Sequence, residues 1–143
     1  MKKLLLCIGL LLASVGAANF DKKEVAQLEA TLTHNIKAMN DENLEEYMKD
    51  IHPLSPAYAG TKRFLEQLFV NYDLEATHLG MTPLMIDEHY FILRGKQKTV
   101  RIKGTIPFRD NIVEALHVYK KHEGKWLLWS SMMLEIENLE RKK

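Results

Sequence analysis

The chain is poor in the residues that define several protein classes. It holds one cysteine, Cys7, and only seven glycines and four prolines in 143 residues. A disulfide scaffold, a collagen-like repeat and a Pro/Gly-rich disordered chain are therefore excluded. It also lacks an excess of one charge: 20 basic side chains face 19 acidic ones, a formal net charge of +1. Without a basic field, no nucleic-acid partner is expected. There is no internal repeat, low-complexity tract or linker. What remains, 46% hydrophobic and 27% charged, is the balance of one folded domain.

One long apolar run interrupts this pattern, at the start of the chain. Met1-Lys2-Lys3 is followed by Leu4 to Gly16, and Val15-Gly16-Ala17-Ala18 supplies small residues for a cleavage site. That is the layout of a secretory signal peptide, and the run is short of the roughly 20 residues that span a bilayer. The expectation is a signal peptide over residues 1–18, a domain over 19–143, a secreted or periplasmic location, and no membrane association after cleavage. Cys7 lies inside the run, so the mature chain has no thiol chemistry. Without Lys2 and Lys3 its formal charge falls to near −1.

The rest of the chain changes period halfway. Val25, Leu28, Leu32, Ile36 and Met39 recur at spacings of three and four, as do Leu44, Tyr47, Met48 and Ile51. Both sets mark one face of a helix. Asn40 and Asp41 interrupt the first stripe and can cap the second helix. His52-Pro53 stops that helix, and Thr61 is expected to cap a third, with a stripe of Phe64, Leu65, Leu68, Phe69 and Tyr72. Beyond Asp73 the residues favour strands: Leu74–Ile86, Tyr90–Lys103 with a bulge at Gly95, Ile112–Lys120, and Lys125 to about Ile136. His122-Glu123-Gly124 turns between the last two. Three helices followed by an antiparallel sheet make an α+β domain.

At this point the sequence resembles the nuclear transport factor 2-like superfamily, in its SnoaL-like or DUF4440-like branch. Three stretches carry the resemblance: Met39 to Tyr47; His52 to Tyr58 with Leu65 to Leu74; and Phe108-Arg109-Asp110-Asn111 with Glu123-Gly124-Lys125-Trp126. It implies three helices packed in a curved antiparallel sheet around a cone-shaped interior. Isomerases of this superfamily place a carboxylate base just after the second helix. Here Ile51 to Leu65 holds no Asp or Glu, and Leu116 falls where a neutral carboxylic acid would stand, so that chemistry is not expected.

A substitute acid–base set can be assembled from His52, Tyr58 and Glu114. His52 titrates near neutrality, Tyr58 can donate to an oxyanion, and Glu114 stands on an otherwise apolar strand face. Each has a structural alternative. His52 can end its helix in its positive form, Tyr58 can pack its ring in the loop, and Glu114 can pair with Arg101 or Lys103. The triplet Arg109-Asp110-Asn111 reads as a turn tied by its own side chains. Tyr47, Tyr58, Phe69, Tyr72, Glu114 and Trp126 are the expected lining of a pocket for a small amphipathic ligand. The six histidines have no close helical spacing, so neither a metal nor any other cofactor is expected. Alternation on the last strand places Leu128, Ser130 and Met132 with Trp126, and Leu127 and Met133 with Trp129. Both faces are then apolar, which predicts a homodimer through the sheet. Three functions stay open: a dimeric ligand-binding or scaffold module, an enzyme with the non-standard set, and an interaction subunit whose cone is filled.

Overall fold

The fold starts from a 19-residue helix whose one apolar face must be buried. In the computed structural model, which describes residues 20–104 and 106–140, α1 (Lys22–Asn40) is followed by α2 (Leu44–Lys49) and α3 (Tyr58–Asn71). Four strands follow: β1 (Asp73–Ile86), β2 (Tyr90–Lys103), β3 (Asn111–His122) and β4 (Lys125–Asn138). They form one antiparallel sheet in the order β1-β2-β3-β4. The α+β reading of three helices and a curved sheet holds. The expected signal peptide lies outside the described residues, among which no helix is long and apolar enough to cross a membrane.

Asp21 opens α1 by accepting a hydrogen bond from the Lys23 amide at 2.8 Å, and Lys37 in the last turn suits the negative end of the helix dipole. The predicted stripe faces inward. Leu28 is fully buried with Phe91, Leu93, Tyr119 and Trp126, and Val25 and Leu32 flank this cluster. A second cluster joins α2 and α3: Met48, Ile51 and Leu65, with Tyr58, Leu68 and Phe69 against them. Leu128 touches both clusters. The 51–55 segment is stitched to β4, with the His52 amide donating to the Leu128 carbonyl at 2.9 Å.

Several local expectations give way to tertiary contacts. Helix α3 begins at Tyr58, before Thr61, because the Ser55 Oγ accepts from the Ala57 amide at 3.0 Å and turns the chain there. Phe64 is 63% exposed and drops out of the buried stripe. The cap of α2 is Asn43, which accepts from the Glu46 amide. Asn40 instead reaches β1, where its side-chain amide donates to the Ala76 carbonyl (2.9 Å) and accepts from the Ala76 amide (2.7 Å).

The bulges fall elsewhere than at Gly95, which pairs in register with Ala115 and Met81. The residues skipped by the ladders are Leu79 and Leu84 on β1, Ile102 on β2, and Trp129 and Leu134 on β4. Each skipped residue bends and twists the sheet. Each also resets the alternation of faces. Leu128 and Ser131 therefore share the inner face, while Met132 pairs with Leu116 on the other side. The expected grouping of Met132 with Trp126 does not survive the bulge.

Candidate functional site

The inner face of the sheet and the helices that close it leave a small cavity of about 110 Å³ with a mixed polar and apolar lining, Leu93 and Leu128 among it. Helix α1 contributes Leu32, Asn35 and Ile36, α2 contributes Tyr47, and the sheet adds His78, Gln97, His117, Tyr119 and Ser131. The alternation Ala115-His117-Tyr119 puts two of these on one face of β3. Gly95 makes room for the imidazole: a Cβ there would lie 3.4 Å from His117 Cδ2 and 3.3 Å from a Leu93 methyl. The ring is oriented by Ser131, whose Oγ lies 2.8 Å from His117 Nδ1.

His78, His117, Tyr47 and Tyr119 are held neutral at pH 7, while Lys96, which also lines the cavity, pairs with Glu114 at 3.3 Å. Burial, and next the nearby His78, pushes His117 down to about 4. Burial also lowers His78. It raises Tyr47, against the opposing hydrogen bond from Asn35, and it raises Tyr119. The two histidines and two tyrosines thus present hydrogen-bonding groups without formal charge, and the one lysine in the lining is already paired. It shares Leu32, Ile36 and His78 with an open cleft of about 450 Å³ between α1 and β1, to which Glu29, Thr33, Gly80 and Met81 contribute.

A second polar cluster stands at the corner of α1 and α2. His34 Nδ1 lies 2.8 Å from Asp50 Oδ2, and its Nε2 lies 3.2 Å from Glu46 Oε2. The Asp50 hydrogen bond lifts His34 above its usual range. Burial pushes Asp50 up, and His34 opposes that push. This cluster borders a groove of about 390 Å³ that also touches Gln27, Thr31, Lys125 and Trp126. Among the described residues, no group of three or more His, Cys, Asp or Glu is arranged to hold a metal ion.

The residues singled out from the sequence scatter over the molecule. Tyr47 lines the inner cavity. His52 is buried near the second cluster, where its Nδ1 accepts from the Leu54 amide at 3.1 Å and its ring packs on His122 and Trp129. Burial, His122 and Lys120 lower its pKa, so it is a neutral acceptor and not the positive helix end expected. Tyr58 and Phe69 pack against Met48, Ile51 and Leu65. Tyr72 caps α3 and sets its ring edge-on to Phe108, 5.6 Å between centroids. Trp126 is 1% exposed and donates from Nε1 to Glu24 at 2.6 Å. It borders the corner groove, not the cavity.

Glu114 lies on the opposite face of the sheet from His117, paired with Arg94 and Lys96. Register decides this: Lys96 stands directly across from Glu114, whereas Arg101 and Lys103 lie beyond the segment that pairs with β3. Burial pushes the Glu114 carboxyl up, but the two basic partners win and hold it below the usual range. His52, Tyr58 and Glu114 therefore meet in no common cavity. Arg109-Asp110-Asn111 does tie its turn: Asp110 accepts from the Arg101 amide at 2.9 Å, and the Asn111 side chain donates to the Arg109 carbonyl at 2.9 Å.

The sequence reading missed His78, His117, Tyr119 and Asp50 as site residues. A usable signal existed in the alternation of Ala115, His117 and Tyr119. Asp50 sits one residue before the carboxylate-free stretch Ile51 to Leu65.

Comparison with known proteins agrees with this architecture. The family described as anti-sigma-I factor RsgI9, C-terminal domain, matches residues 30–139. No curated protein matches the sequence. Among solved structures, a candidate dehydratase of the NTF2-like family from Streptomyces avermitilis is 15% identical, with a TM-score of 0.62 over 76% of this chain and 93% of its own. A protein of unknown function with a cystatin-like fold from Nostoc punctiforme is 8% identical, with a TM-score of 0.67 over 83% and 95%. A candidate calcium/calmodulin-dependent protein kinase II association domain from Xanthomonas campestris is 17% identical, with a TM-score of 0.60 over 81% and 88%. At these identities the likeness establishes the fold, which is that of the NTF2-like superfamily.

Proposed function

The chain belongs to the family of the anti-sigma-I factor RsgI9 C-terminal domain, and from that premise we propose that it is an exported, dimeric module that binds a small ligand. The carrying observation is the inner cavity, where His78, His117, Tyr47, Tyr119 and Ser131 surround about 110 Å³ and open toward the α1–β1 cleft. These neutral hydrogen-bonding groups suit an uncharged polar head: Lys96 in the lining is engaged by Glu114, so a charged head would lose its hydration without a free countercharge. The cleft, with Leu32, Ile36 and Met81, suits an apolar body. The ligand class is therefore a small neutral amphipathic molecule.

The same groups speak against acid–base catalysis. A base works best with a pKa near the operating pH, and His117 is held at about 4. Dimerisation through the sheet is supported by the apolar residues exposed along β4, and export by the Lys2-Lys3 start with the apolar run behind it.

Native mass spectrometry of the protein from its host's envelope tests the reading. The expected result is a dimer of chains lacking the first 18 residues, with a small molecule retained. Tyr47→Phe together with His117→Leu should abolish that retention. A fully loaded double variant, or native protein that never carries a molecule, would remove the ligand proposal.

A further inference from the structure

Asp50 stands where local chemistry disfavours a carboxylate. It closes α2 at the negative end of the helix, with Glu46 one turn before it. It is also only 8% exposed, and burial works against a charge. Geometry nevertheless holds a charge there. Both ring nitrogens of His34 face carboxylate oxygens, Asp50 Oδ2 at 2.8 Å and Glu46 Oε2 at 3.2 Å. An ionised carboxylate only accepts, so the ring donates at both ends and is an imidazolium between two anions. Departures of this kind from local preference are where function is expected.

Asp50 does not line the inner cavity, but its other side-chain contact leads there. Asn35 follows His34 on α1 and lines the cavity together with Tyr47. The Asn35 amide donates to Asp50 and to the Tyr47 oxygen, since each bond favours the negative form of its acceptor. An amide nitrogen carries two hydrogens, so the two bonds use both and fix the amide in one orientation. The Tyr47 oxygen is then occupied from the Asn35 side. Its own hydrogen points away from Asn35, toward the cavity that the residue lines.

We infer that Asp50 is a positioning residue that acts from outside the cavity: it anchors the Asn35 amide, the amide holds the Tyr47 oxygen, and the Tyr47 hydroxyl donates to an acceptor oxygen on the ligand. The inference rests on the ligand reading above and narrows its class to neutral molecules with a carbonyl-type head. Without Asp50 the amide is free to turn its oxygen to Tyr47. The hydroxyl would then donate to Asn35, and the ligand would lose its donor. Glu46 only steadies His34, so the path to the cavity runs through Asp50.

The test uses the full chain with two probes of one shape, acetophenone and α-methylstyrene, which carries CH₂ in place of the ketone oxygen. Titrations give the ratio of their affinities, the infrared carbonyl band of bound acetophenone reports the hydrogen bond, and a melting curve checks each variant. In wild type the carbonyl band should be lowered. Tyr47→Phe should abolish that shift and cut the ketone-to-hydrocarbon affinity ratio about fivefold, the worth of one hydrogen bond. Asp50→Leu should do the same, although it removes nothing from the cavity wall. Asp50→Asn, which keeps an acceptor for Asn35, should retain the shift and the ratio, as should Glu46→Gln. If Asp50→Leu fails to fold, Asn35→Leu decides, with the same loss expected. A folded Asp50→Leu protein that keeps both readouts overturns the inference and leaves the ligand reading standing. Equal losses in Asp50→Leu and Glu46→Gln would mark a general disturbance of the corner and overturn it too. Wild type that binds neither probe removes the ligand reading itself.

Discussion

At the scale of single side chains, the histidines are sorted by burial and by their partners. Free imidazole takes its proton near 6.5, while His117 in the fold takes it only at about 4. The unfolded state therefore binds more protons between those values, and stability falls as pH drops through that window. From pH 7 to pH 5 the loss should be of order 2 kcal/mol. His78 and His52 are shifted the same way. His34 is shifted oppositely, so its contribution is present below pH 6.5 and fades as pH rises through its elevated folded value. Urea midpoints at pH 7 and pH 5 check this, and His117→Gln should flatten the dependence. An unchanged slope in that variant would show that His117 is not the group responsible.

At the scale of elements, the β3–β4 turn holds Glu123 at φ 48° and Gly124 at φ 78°. Two successive positive φ values define the turn that matches strand twist, and Asn-Gly suits it best. Glu123 lacks the local hydrogen bonding that lets Asn adopt this conformation. Glu123→Asn should thus raise the melting temperature, by a stabilisation of about 0.5–1 kcal/mol, while Gly124→Ala should cost about 1–2 kcal/mol. Calorimetric melts of the two variants decide it. The bulges work at the same scale. Leu79, Leu84, Ile102, Trp129 and Leu134 are all large apolar residues left out of the ladders, and they curve a sheet of long strands toward α1.

At the scale of the whole molecule, two apolar clusters meet at Leu128. One is built by α1 on the sheet and the other by α2 and α3. Their shared residue, reinforced by the Ile51–Leu128 bridge, couples them into one unit. Unfolding should accordingly be a single cooperative transition by far-UV and tryptophan signals alike. Leu128→Ala should cost about 2–5 kcal/mol and still leave those signals coincident. Separate transitions in the wild type would mean that the clusters fold independently.

The sequence by itself determined the order and type of the elements, because helical and strand periods are local: they follow from which side chains recur on one face. It also carried the fold family, through motifs spread across nearly the whole chain. Residues whose roles depend on neighbours far along the chain were legible only in part. Tyr47 is legible as lining, whereas Glu114 finds its partners in Arg94 and Lys96, not Arg101 or Lys103, and Asp50 meets His34 only in the fold. Tertiary structure alone decided these. Each bulge shifts strand register by one residue and exchanges the inner and outer faces beyond it. On the bulged strands, which side chains share the interior is then set by pairing across the sheet, and no local pattern reports it.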